Sequence, residues 1–123
     1  MRNIARQATA GTAILALLTL CAGCRSPWVQ ATVANRQNTP VQLVEVDYPG
    51  GTFGVQTIAA HASYHYRFHI LDSGSITLDF TDSANHSHTS KGPEVRPGQQ
   101  GTLRIDIEPD GKVTWQPSLT SPK

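Results

Sequence analysis

Between Tyr64 and Ile70 the chain alternates strictly: Tyr64, Tyr66, Phe68 and Ile70 fall on one phase, and His65, Arg67 and His69 on the other. A backbone with a two-residue repeat sends those sets to opposite faces, so the segment predicts a half-buried strand and not a helix. The same signature recurs along the chain. Val29, Ala31 and Val33 alternate across 28–34, and VQLVEVDY (41–48) sets Val44, Val46 and Tyr48 against Glu45 and Asp47. Thr52 to Ile58 is a weaker strand. Ile76, Leu78 and Phe80 interleave with Thr77, Asp79 and Thr81, and a short polar strand is expected around His86–Ser90. Leu103, Ile105 and Ile107 alternate with Arg104, Asp106 and Glu108, and a last strand carries Val113 and Trp115. Pro49-Gly50-Gly51, Asp72-Ser73-Gly74, Asp82-Ser83-Ala84-Asn85 and Pro109-Asp110-Gly111 punctuate these runs with residues that suit turns.

Short strands at regular spacing, each with one apolar face, predict an all-β fold in which two sheets bury those faces together. The expected domain is a single antiparallel β-sandwich of about seven to eight strands over 28–116. Gly92 to Gly101 is expected to be a loop, and 117–123 a flexible tail. The pattern resembles the small immunoglobulin-like or fibronectin-like modules of bacterial envelope lipoproteins, although it lacks the Cys…Trp…Cys spacing of true immunoglobulin domains. Tyr64, Tyr66, Phe68, Phe80 and Trp115 lie in apolar rows and are expected in the core. Trp28, on the polar phase of the first strand, is expected to cover a sandwich edge and not to rest in a membrane interface.

Ahead of this domain, Arg2 and Arg6 precede the uncharged run ATAGTAILALLTL (8–20), followed by Cys21-Ala22-Gly23-Cys24. A basic start, a short apolar stretch and small residues describe an export signal, since a spanning helix needs about 20 apolar residues. Leu20-Cys21-Ala22-Gly23-Cys24 resembles the lipobox of bacterial lipoproteins, with Cys21 where leucine is commonest. The resemblance implies a helical signal peptide removed over 1–23, acylation of Cys24, and a lipidated tether over 24–27. It further implies attachment to the membrane through Cys24. Arg25 in place of aspartate favours the periplasmic side of the outer membrane in a two-membrane bacterium.

The mature chain would run from Cys24 to Lys123, 100 residues, enough for one domain with its own core. The two cysteines of the sequence both lie at the processing site, leaving none for a disulfide. Losing Arg2 and Arg6 takes ten basic residues to eight, against nine acidic ones. Such a balance offers no basic face, so nucleic acid is excluded as a partner. An envelope protein or polymer is the expected partner, and no cofactor is expected.

Candidate chemistry centres on five histidines. If 63–70, 75–81 and 86–90 formed consecutive hairpins, His65 would flank Thr81, Thr81 would flank His86, and Arg67, Asp79 and His88 would form the next row. That row reads as cross-strand charge pairs or as a polar recognition strip. The alternative is a zinc or copper site built from His65, His69, His86 and His88. Against it, His65 and His86 would stand two strands, about 9–10 Å, apart, with Arg67 repelling a cation. The sequence contains no G-x-S-x-G elbow, H-E-x-x-H or phosphate-binding glycine loop. A non-catalytic binding or scaffolding role is therefore expected.

Overall fold

The computed structural model describes residues 27–122; the predicted leader, Cys24 and Lys123 lie outside the described residues. Eight strands follow one another: β1 Val29–Asn35, β2 Val41–Tyr48, β3 Gly51–Ile58, β4 Ser63–Phe68, β5 Gly74–Thr81, β6 Ser87–Val95, β7 Gln100–Ile107 and β8 Val113–Thr120. They form two four-stranded sheets, ordered β4-β1-β7-β8 and β3-β2-β5-β6. Val29, Ala31, Val33, Phe68, Leu103, Ile105 and Ile107 of the first sheet are buried against Val41, Val44, Val46, Phe53, Ile58, Ile76, Leu78, Phe80 and Val95 of the second. The alternating rows of the sequence thus become the two inner faces of a β-sandwich.

The wiring is more particular than alternation could specify. β1 runs parallel to β7, from Val29 beside Gly101 to Asn35 beside Ile107, whereas the other pairs are antiparallel. The first and second strands of an immunoglobulin constant domain share a sheet. Here they lie in opposite sheets. A period-two pattern fixes which face is buried but leaves the neighbouring strand open.

Three local features adjust the strands to their neighbours. Strict alternation would put Val41 on the outer face, in phase with Glu45. Instead Leu43 adopts a φ of 50°, and the β2–β5 register shifts between Gln42 and Glu45. This bulge resets the phase, so Val41 and Val44 are both buried while Leu43 is exposed. At one open side of the sandwich, Phe53 of β3 stacks on Tyr66 of β4 with centroids 4.5 Å apart and 15° between planes. Tyr64 packs partly buried against the core. Tyr66 is 41% exposed, which corrects its expected place in the core: it covers the seam between two edge strands. At the opposite side Trp115 of β8 packs on Gly92 of β6, where an added Cβ would stand 2.6 Å from the ring.

That contact corrects two expectations. Gly92–Val95 is strand and not loop, leaving only Arg96–Gln99 between β6 and β7. The expected tail is ordered through Thr120: Pro117 faces Leu103, and Leu119 pairs with Gly101 and packs on the core. An edge strand tolerates proline, and the half-buried Leu119 outweighs the polar composition around it.

The strand termini define two ends of the sandwich. The Trp28 end gathers the turns at Pro49–Gly50, His69–Ser73 and Arg96–Gln99. The Asn35 end gathers those at Arg36–Pro40, Ala59–Ala62, Asp82–His86 and Glu108–Lys112.

Candidate functional site

The row Arg67–Asp79–His88 does not exist, because β4 pairs with β1 and not with β5. Arg67 lies opposite Gln30 on the outer face of the first sheet, its guanidinium carbon 4.5 Å from the centre of the Trp28 ring. Asp79 belongs to the other sheet, opposite Glu45 and Thr89. His88 pairs with Phe80 and so takes the inner phase of β6, its ring stacked at 4.6 Å and 5° on the phenylalanine.

The alternative metal set is divided in the same way. His65 and His69 belong to β4 and the segment just after it, His86 and His88 to β6 and the turn before it. Each has a local contact. His65 Nδ1 lies 3.0 Å from Thr32 Oγ1, and His69 Nδ1 lies 3.1 Å from the Pro27 carbonyl. His88 Nε2 lies 2.8 Å from Asp82 Oδ2, and His86 Nδ1 lies 3.7 Å from the same oxygen. Pairing across the sandwich, invisible in H-x-H spacing, separates what a shared hairpin would have joined. Trp28 lies on the outer face above β4, its ring 3.6 Å from that of His69.

Asp82 organises the turn into β6. Its Oδ1 accepts the backbone N–H groups of Ala84 and His86, both at 2.9 Å. The His88 hydrogen bond, followed by the His86 backbone bond, holds its carboxyl below the ordinary 3.8. A group with a lowered folded-state pKa adds stability above its unfolded value, and that stability disappears as pH falls through the folded one. The stability gap between the protein and its Asp82→Asn variant is therefore expected to close as the pH falls below the ordinary 3.8 and through the lowered folded-state value. Urea midpoints across that range measure it, and a gap independent of pH would refute the assignment.

Two further clusters arise only in the fold. Glu45, Asp47 and Asp79 converge on the outer face of the second sheet, with carboxylate oxygens within 4.8 Å of one another. Repulsion from Asp47, then a hydrogen bond shared with it, pushes Glu45 up from its ordinary 4.5. Thr52 and Thr89 donate to Asp47 and Asp79 at 2.7 and 2.6 Å. The E-x-D spacing was visible; its union with Asp79 needed the β2–β5 pairing.

The second cluster lies at the Asn35 end. Ala34, Asn35, Arg36, His61, Arg104 and Glu108 help to line a cleft of about 320 Å³. Asp106, 2% exposed and opposite Ala34, is held by both arginines. Arg104 Nε is 3.0 Å from Oδ1 but directs its hydrogen bond to Oδ2 at 3.3 Å. Arg36 reaches Oδ2 at 3.9 Å and Glu108 at 3.7 Å. Among the described residues no donor is directed at Asp106 Oδ1. A buried acceptor without a donor is costly, and the Arg104 charge 3.0 Å away offsets part of that cost. Alternation puts Asp106 on the phase opposite Leu103, Ile105 and Ile107; the two arginines that cover it are brought there by tertiary pairing.

No protein-family model matches the sequence. No curated protein matches it either. Among solved structures, the chain is similar to the NMR structure of the protein from Eubacterium rectale. The two are 13% identical with a TM-score of 0.54, over 76% of this chain and 93% of that one. The likeness is one of fold.

Proposed function

We propose that this protein is a lipid-anchored module of the bacterial cell envelope that binds or scaffolds a partner without catalysis. One observation carries the reading: Cys24 follows a basic, then apolar, then small-residue leader, and the sequence's other cysteine, Cys21, lies within that leader. A diacylated or triacylated cysteine supplies the two chains that stable attachment takes. The partner side of the proposal is the Arg36–Arg104 cleft. Val29 to Asn35 climbs about 20 Å at the strand rise of about 3.3 Å per residue, which lifts the cleft away from the anchored end. Its exposed Arg36 and Arg104 and the half-buried Glu108 suit a polar partner, an envelope protein or polymer.

Cys24→Ser is expected to move the protein from the membrane fraction to the soluble fraction and to remove the acyl mass. Unchanged sedimentation with membranes would overturn the anchor. In the same host, a photo-reactive residue at His61 is expected to give a discrete adduct from the anchored form, and one at Thr89, on the outer face of β6, none. Equal labelling at both positions would remove the cleft from the proposal.

A further inference from the structure

We infer that the Trp28 end of the sandwich lies on the lipid leaflet, with Leu71 and Trp28 inserted at the boundary between headgroups and acyl chains. The inference rests on the proposed anchor and adds an orientation to it. Only four Cα steps separate Cys24 from Trp28, a reach of at most about 14 Å at full extension. A headgroup layer is about 6 Å deep, half the difference between total and hydrocarbon thickness. A short tether of this kind holds the Trp28 end at the surface whatever path it takes.

The residues gathered there suit that position. Leu71 is 73% exposed, the most exposed of the large apolar side chains among the described residues. It is two residues from His69, whose ring lies 3.6 Å from that of Trp28. Its turn is braced from below: a Cβ on Gly50 would meet the Leu71 Cβ at 3.4 Å, and the neighbouring Ile70 carbonyl accepts the Gly98 N–H at 3.1 Å. An exposed leucine on a braced turn keeps its aim. Trp28 presents the amphipathic ring favoured at membrane interfaces, flanked by Arg67. The charges near this end balance, Arg25, Arg67 and Arg96 against Asp47, Asp72 and Glu94. The contact is therefore apolar and does not depend on anionic lipid.

The test uses the full chain, processed and acylated in a bacterial host, checked by mass, and placed in phosphatidylcholine vesicles. A nitroxide is attached to the Leu71→Cys variant and, separately, to Asp110→Cys in the turn at the opposite end. Oxygen, which partitions into lipid, is expected to relax the label at position 71 several-fold more effectively than a water-soluble nickel complex does. Position 110 should show the reverse. Salt is expected to leave both ratios unchanged. Acylated protein with both labels fully aqueous would overturn the orientation while leaving the anchor intact. Protein without the acyl mass would overturn the anchor itself, and the orientation with it.

Discussion

Asn35→Asp is expected to cost about 3–5 kcal/mol at neutral pH, although it exchanges a single NH₂ group for oxygen. Asn35 is 1% exposed at the point where the chain leaves β1 for the opposite sheet. Its Nδ2 donates to the carbonyls of Thr39, Ile58 and Ala59 at 2.9, 3.1 and 3.2 Å. Its Oδ1 accepts the Gln37 N–H at 3.0 Å. One side chain thus ties the β1–β2 crossing to the end of β3. A carboxylate would bring a buried negative charge against three carbonyl oxygens. Protonation restores one donor, so the loss should shrink on acidification. Urea midpoints at neutral and acidic pH give both numbers. A cost below about 1 kcal/mol would mean that the amide is not a structural tie at all.

Phe80→Ala is expected to cost a further class of energy, packing, at about 3–5 kcal/mol. Phe80 is 1% exposed on β5, an inner strand of its sheet, beside Leu78 and Ile76 in the inward row. Its ring also backs His88, which in turn holds Asp82. Removing it leaves a cavity in the core near its Asn35 end and frees the turn that Asp82 organises. Domains of this size are stable by about 5–15 kcal/mol, so the variant should be near its unfolding threshold. Leu71→Ala supplies the contrast: at 73% exposure it is expected to change stability by less than about 0.5 kcal/mol. Similar losses for the two variants in a urea series would contradict the core assigned here.

The fate of individual residues shows why some of this was legible beforehand. Alternation puts Phe68, Ile76, Leu78, Leu103, Ile105 and Ile107 on inward rows, and all are buried. The turns at Asp82–His86 and Glu108–Lys112 are legible because Asp, Asn and Gly favour the local backbone geometry of turns. Asn85 and Gly111 do adopt positive φ, 66° and 85°. The recognition row failed for a different reason. A row of Arg67, Asp79 and His88 requires neighbours in sequence to be neighbours in the sheet, whereas the chain crosses the sandwich between β4 and β5. His88 was further misplaced by one residue of register, which reverses its face. The Leu43 bulge and the strand through Pro117 depend on contacts with β5 and β7, which no local pattern contains.

The sequence by itself determined the approximate number of strands, their phase outside the β2 bulge and β6, and the sites of most turns, because these follow from a two-residue repeat and from residues that fix φ. It also set the pattern around Cys24 on which the envelope proposal rests. Only the tertiary structure decided that β1 lies beside β7, that Glu45 meets Asp79, and that two arginines close over Asp106. Those contacts join residues distant along the chain, and their energies arise only after the sheets have paired.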